Sequence, residues 1–435
     1  MQKHRKQHIK DFESRQYTRN YRKICPTAFA FQSKSKIMSK IQASSALSNL
    51  KVLDMSRVRA GPNCVRLLAD FGADVIRIEP PKGVDPNEGM FAANREGGDF
   101  QNLNRNKRAI TLNLKKPGAL DIMMRLVKTA DVVVENWRPD IKNRLGVDYE
   151  SLAKVNPRII LASISGYGQE GPYASRPGFD QIMQGMGGLM SVTGIPGQGP
   201  VRAGLAVADM SAGLYAGIGI LTALLERERS GKGQWVHASL LHAQIAMMDF
   251  QAARYLNEGD VAGQAGNDHP TSSPMGLFEA SDGVFNLGAS GQGNWVRLCE
   301  LAKRPDWMAD PDFANEKTRA VNRAKCNQAL NEVFRTQTVA YWVDNLNKAG
   351  VPAGPVYNVP EMFADEHIKQ SHISKMVKDK NGKEKGFITL PTILSRTPAD
   401  VVTTAPQWGE HTAEVLGEVG YSEAEIAKFY EQGVV

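Results

Sequence analysis

The chain has 435 residues, 42% of them hydrophobic and 23% charged, with a formal net charge of +7. That length allows two domains, or one large domain with a satellite, around a sizeable core, and the composition excludes a disordered, collagen-like or disulfide-stapled chain. The charge does not point to nucleic acid: residues 1–46 hold eleven Lys and Arg against Asp11 and Glu13, a local +9 that leaves −2 for the rest, and the body has no basic patch interleaved with aromatics.

Residues 1–46 read as a basic, acid-poor, disordered extension without the apolar core of a secretory signal. A transit peptide, or an upstream extension before Met38, fits as well. The expected location is the cytoplasm, or the mitochondrial matrix if the extension is a transit peptide. Cys25, Cys64, Cys299 and Cys326 form no CxxC pair, which argues against a zinc ribbon or a disulfide framework. No apolar run reads as long enough for a membrane span.

Regular structure begins near residue 48. LKVLDMS (50–56) reads as a buried strand, RVRAGP as a loop and NCVRLLADFG (63–72) as a helix closed by Gly72. ADVIRIE (73–79) is the next strand, which completes a βαβ unit and implies a parallel sheet. AITLNL (109–114), a helix over 117–128 and DVVVENW (131–137) repeat the unit, and PRIILASISG (157–166) adds a strand. Continuous apolar strands require cover on both faces. The fold class is therefore α/β, a doubly wound parallel sheet whose ligands sit beyond the carboxyl ends of the strands. Neither GxGxxG nor GxxxxGK[ST] occurs in those loops, which counts against a dinucleotide-dependent oxidoreductase.

After Leu241 the pattern changes to turns, short strands and charged helices, which predicts a second, smaller α+β domain. Residues 375–395 read as a hairpin turning at Asn381-Gly382, and GEHTAEVLGEVG (409–420) begins a last helix.

One carboxylate stands out. Asp209 lies between an apolar run and a helix rich in small residues, with Gly213, Ala216, Gly217, Gly219 and Ala223 along it. An Asp there caps the helix, or it acts as a nucleophile kept ionised by the helix N-terminus. On spacing alone both readings stand. Histidine is absent from 9–236, so neither a Ser-His-Asp triad nor a His-rich metal site can be built within that span.

Six blocks in register resemble the class III coenzyme A transferases, the CaiB/BaiF group. They are LKVLDMSRVRAGPNCVRLLADFGADVIRIEPP, NKRAITLNL, DVVVENWRPDIKNRLG, NPRIILASISGYGQEGPY, GLAVADMSAGLYAGIGILTALLERERSGKGQ and GEHTAEVLGEVG. The resemblance runs from about residue 48 to 435. It implies a Rossmann-like large domain over 47–240, completed by 396–435, with linkers and a small domain in 241–395. It also implies an interlocked homodimer.

The implied activity is CoA transfer from an acyl-CoA donor to a carboxylic acid through aspartyl anhydride and aspartyl-CoA thioester intermediates. Asp209 matches the family's catalytic aspartate, and Asp180 falls where some members carry a second acid that orients the acceptor or a loop. A helix cap is an equal reading for Asp180. Arg59, Leu112, Asn136 and Arg144 map onto positions that bind CoA. CoA and acyl-CoA are substrates on this reading, with no resident cofactor, no metal, and neither nucleic acid nor membrane as partner. Racemases of the same family use His and Asp for proton exchange at Cα. Here the triplet is GFD (178–180), and Phe179 has no proton to exchange. A non-catalytic CoA-binding protein is the remaining alternative. The segment HPTSSPMG (269–276) lacks the glycine run of the formyl-CoA enzymes and reads as a gating loop, with His269, Ser272 or Ser273 near the acceptor, or as an ordinary turn.

Overall fold

In a computed structural model, six parallel strands form a sheet in the order β3-β2-β1-β4-β5-β6. The structure describes residues 41–86, 88 and 94–435. The expected basic extension lies, up to residue 40, outside the described residues, as does Cys25.

The strands are β1 (Lys51–Asp54), β2 (Asp74–Glu79), β3 (Lys107–Thr111), β4 (Val132–Glu135), β5 (Ile160–Ser165) and β6 (Trp235–Ser239). β2 and β5 are buried throughout, with the charged Asp74, Arg77 and Glu79 of β2 buried alongside its apolar residues. Alternation divides the core. Val52, Val75, Val132, Val134 and Ile160 face one side, and Leu53, Ile76, Val133 and Leu161 face the other. The helices that follow in chain order are α1 (Ala60–Asp70), α2 (Gly98–Asn104), α3 (Ala119–Thr129), α4 (Pro139–Leu145), α5 (Tyr149–Val155), α6 (Asp180–Met186), the single turn α7 (Leu189–Val192), α8 (Val207–Ser230) and α9 (Leu240–Ala246). The first face is covered by α1, α8 and α9. The second is covered by α3, α5 and the C-terminal helices α17 (Thr412–Glu418) and α18 (Glu423–Glu431).

Three features differ from the sequence reading for physical reasons. α1 starts at Ala60 rather than Asn63, because a proline in the first turn costs no helical hydrogen bond. β3 starts at Lys107, since its charged residues are buried in ion pairs. α18 is an additional helix after the expected last one, and Ser422 and Glu425 form its capping box. One expectation is overturned. α8 has 24 residues and is long and apolar enough by composition to cross a membrane. Half of that apolar window is buried inside the protein, where Gly213 lets the helix approach α1: a Cβ there would meet Ala60 O at 2.7 Å.

β3 is an edge strand, and the chain end satisfies its outer groups. His411 N–H donates to Ala109 O at 2.8 Å, while Ala109 N–H and Thr111 N–H donate to His411 Nδ1 and Thr412 Oγ1. A small lobe follows α9 and α10 (Asp249–Glu258). Strands β7 (Met275–Ala280), β8 (Gly283–Gly288) and β9 (Ala353–Pro355) form an antiparallel sheet. It packs around Trp295, Phe278, Phe285 and Phe334 with α11 (Gln292–Leu301), α12 (Glu316–Val321), α13 (Arg323–Phe334) and α14 (Val339–Lys348) nearby in the chain. After α15 (Val359–Ala364) and α16 (Glu366–Gln370), β10 (Ser374–Lys378) and β11 (Glu384–Ile388) form the expected hairpin, with Gly382 at φ +80°. It meets the large sheet's side of the molecule, where Arg105 lies over Phe387.

An ionic layer ties the sheet together. Lys107 Nζ contacts Asp54 Oδ2 at 2.8 Å, and both side chains are fully buried. Burial pushes the Asp54 carboxyl up, but Lys107 and Arg77 together outweigh it and hold the group below its ordinary range. Removing one member of such a pair strands a charge. Asp54→Ala is expected to cost about 3–5 kcal/mol in denaturant unfolding. Asp54→Leu combined with Lys107→Met should recover most of that loss.

Candidate active site

The strand order reverses between β1 and β4, where such sheets open a crevice. A cavity of about 510 Å³ lies at the strand ends there. Arg57 comes from the β1–α1 loop, Pro80 follows β2, Leu112 and Lys115 follow β3, and Trp137 and Arg144 follow β4. Trp408, from near the chain end, closes one side. Its indole Nε1–H donates to Pro80 O at 2.9 Å, and Arg95 stacks on it at 4.9 Å.

Of the four residues expected to bind CoA, Leu112 and Arg144 line this cavity, and Arg59 and Asn136 do not. Asn136 instead braces the β1–α1 loop. Its Nδ2 donates to Arg57 O and its Oδ1 accepts from Arg57 N–H, both at 2.8 Å. That double contact pins a strained segment. Val58, a β-branched residue, sits at φ +59°, in a region such residues rarely occupy. Gly61 closes the turn, since a Cβ there would fall 2.2 Å from Ser56 Cβ. Arg57, Lys115, Trp137 and Trp408 were missed by sequence reasoning. Trp408 is separated from Pro80 by 328 positions, and no local pattern carries that contact.

Asp209 is not the helix cap. α8 begins at Val207, so Asp209 is in its first turn, and the N-cap Ala206 has no side-chain cap. Asp180 supplies the missing acceptor: its Oδ1 takes the N–H groups of Ala208 (2.8 Å) and Asp209 (3.2 Å). Gln184 Nε2 holds the other oxygen at 2.6 Å, and Gln184 Oε1 accepts Ala203 N–H. Asp180 is buried and Asp209 half-buried. The helix end is thus already answered by one carboxylate, and the second stands beside it. Burial pushes Asp209 up to about 6, Asp180's charge pushes the same way, and Arg59 pulls it down. A carboxylate in this state is ionised at neutral pH yet more basic than one in water.

The 269–276 segment belongs to the small lobe. His269 Nδ1 accepts the N–H groups of Thr271 and Ser272, and Arg319 Nε donates to Ser273 O. Phe179 precedes α6 and is 62% exposed, so no proton carrier stands beside Asp180 in that triplet. Among the described residues, no cluster of three or more His, Cys, Asp or Glu is placed to hold a metal ion.

The six-stranded parallel sheet, its crevice at the order reversal and the paired carboxylates at the start of α8 define an α/β protein of the doubly wound class. The chain belongs to CoA-transferase family III, whose profile matches residues 47–412, and it is a CoA-transferase. It is 37% identical to a succinate–glutarate CoA-transferase from Agrobacterium fabrum, over 86% of this chain and 95% of that one. A succinyl-CoA–D-citramalate CoA-transferase from Chloroflexus aurantiacus is 34% identical over 89% and 98%. A CaiB/BaiF family protein from Brucella suis, solved by crystallography, superposes with a TM-score of 0.75 at 34% identity, covering 86% of this chain and all of the other.

Two outcomes follow from the paired acids. The acid limb of the kcat/KM profile should fall near pH 6, where Asp209 ionises, and Asp180→Asn should move it to lower pH by removing the neighbouring charge. The second concerns stability. A carboxyl raised in the folded state favours folding only while protonated, so this contribution is lost as pH rises from 3.8 to about 6. Asp209→Asn should therefore unfold later than the parent by on the order of 1–2 kcal/mol at neutral pH. That advantage should disappear near pH 4, as read by denaturant titration at each pH.

Proposed function

We propose that the enzyme moves CoA from an acyl-CoA donor to a carboxylic acid with Asp209 as the covalent carrier. The Asp209 carboxylate attacks the thioester carbonyl, the C–S bond breaks, and a mixed anhydride and CoA thiolate form. The thiolate then attacks the Asp209 carbonyl. The donor leaves as a free carboxylate, taking one oxygen from Asp209, and an aspartyl-CoA thioester remains. The acceptor carboxylate attacks that thioester and expels the thiolate, giving a second anhydride. The thiolate attacks the acceptor's carbonyl, yielding the new acyl-CoA and a restored Asp209 that keeps one acceptor oxygen. The thioester bond is exchanged rather than hydrolysed, so the cycle balances without an external energy source.

The observation that carries this reading is Asp209 itself, freed from capping by Asp180 and raised to about 6. The β1–α1 loop supports it further. Arg57 lines the cavity, and two positions on, Arg59 acts on Asp209. A nucleotide held in the cavity would send its thioester arm along that loop, with Arg57, Lys115 and Arg144 facing its phosphates and Pro80 and Trp408 facing its base. The relatives named above support a succinyl-type donor and a dicarboxylic acceptor.

A homodimer belongs to the same proposal. On the outer side of α8, Leu214, Ile218, Leu221 and Leu225 form a helical stripe that is 43–74% exposed. A stripe of that kind marks an interaction surface.

The path of the oxygen atoms tests the mechanism. With carboxylate-labelled 18O acceptor, the label should appear in the acid released from the donor on later turnovers. Peptide mapping of quenched enzyme should find CoA attached at Asp209. Asp209→Asn should lower kcat by on the order of 10³ or more. Full activity in that variant, or label confined to the new acyl-CoA, would refute the covalent route.

A further inference from the structure

Arg59 lies outside the cavity, and its charge is met by an exposed ion pair. It is the residue before α1, and the first turn of that helix abuts the first turn of α8. Asn63 Nδ2 lies 3.4 Å from Met210 O, and a Cβ on Gly213 would strike Ala60 O. This packing sets Arg59 beside the start of α8, where Asp209 is. The loop that carries it is held by Asn136 and strained at Val58, so its course is imposed rather than relaxed.

The partner of Arg59 is instructive. Asp99 receives the guanidinium through two parallel bonds, Nη1 to Oδ1 at 3.0 Å and Nη2 to Oδ2 at 2.9 Å. That fork is how arginine takes any carboxylate. Yet Asp99 is 66% exposed and Arg59 33% exposed, and exposed pairs hold little net stability. A carboxylate arriving from the substrate can replace Asp99 at small cost. Meanwhile an anionic acid approaching Asp209 and Asp180 meets two negative charges, and Arg59 is the cation that acts on Asp209.

We infer that Arg59 is the receptor for the distal carboxylate of the acyl group, which Asp99 occupies until substrate arrives. This rests on the proposed role of Asp209. Donor and acceptor acyl groups are both joined to that one side chain in turn, so they enter one pocket and meet the same arginine. The substrate class is therefore ω-carboxyacyl groups on both sides of the exchange.

The test compares acids of equal length that differ only in the second carboxylate: glutarate against pentanoate, and succinate against butyrate. Arg59→Gln should lower the ratio of dicarboxylate to monocarboxylate kcat/KM at least tenfold, mainly through KM, and Arg59→Lys should restore part of it. Asp99→Asn releases the guanidinium and should lower KM for glutarate about threefold while leaving KM for pentanoate in place. Equal losses for both acids in Arg59→Gln, or a raised glutarate KM in Asp99→Asn, would overturn the assignment. Calorimetric titration of the same acids into the CoA-free proteins separates this from the transfer reading. If the parent moves CoA to neither acid, the transfer reading fails. Glutarate binding that falls in Arg59→Gln would still uphold the receptor, and unchanged binding would reject it.

Discussion

Asp180 Oδ1 accepts the N–H groups of Ala208 and Asp209 at the amino end of α8, and the state of the site follows from that contact. A helix start offers orphan donors and a positive field. Left to itself, Asp209 would turn inward and satisfy them, becoming a low-pKa cap of little nucleophilic use. Because Asp180 comes from another helix and is locked by Gln184, it takes the donors and cancels much of the field. Two carboxylates at one helix end thus receive different environments. One is saturated with hydrogen bonds, and the other is desolvated beside a like charge.

The sheet supplies the rigidity this arrangement needs. Asp54 ends β1, pairs with Lys107 across the sheet and accepts both the backbone N–H and the hydroxyl of Ser56. It therefore sets the direction in which the chain leaves β1. Four residues beyond Asp54 the backbone enters a conformation unfavourable for valine, and Asn136 holds the loop from the neighbouring strand end. A loop shaped by buried charge, steric strain and a double amide contact has little freedom. Its two ends serve different parts of the site: Arg57 at the cavity and Arg59 at Asp209.

What the sequence made legible follows from which interactions are local. The parallel sheet could be read because its strands are continuous apolar runs with helices between them, and burial on both faces demands that pattern. The Asn381-Gly382 hairpin was visible because its turn chemistry is local too. Asp209 could be singled out by position, but not separated from a cap, because the competing acceptor lies 29 residues upstream. Asn136 was expected to contact CoA because the family resemblance maps it onto a ligand-binding position. Its reciprocal bond to Arg57 spans 79 positions. From sequence, β3 starts at Ala109 rather than Lys107 because Lys107 and Arg108 look solvent-bound until their buried acids, Asp54 and Asp74, are placed.

The chain end shows how tightly ligand crevice and fold are coupled. Residues 411 and 412 answer the free edge of β3, and Gly409, at φ +60°, brings the backbone against Thr111. The segment just before them carries Trp408 to the cavity wall, tied to Pro80 and covered by Arg95. Arg95 in turn forks onto Glu79 at the end of β2 and donates to Pro406 O. A single set of contacts therefore closes the sheet edge and builds one wall of the crevice. The wall cannot form unless the edge is covered, and an uncovered edge would leave backbone donors exposed to pairing with other chains. The crevice and the protection of the sheet are in this sense one structural feature, made from residues at opposite ends of the sequence.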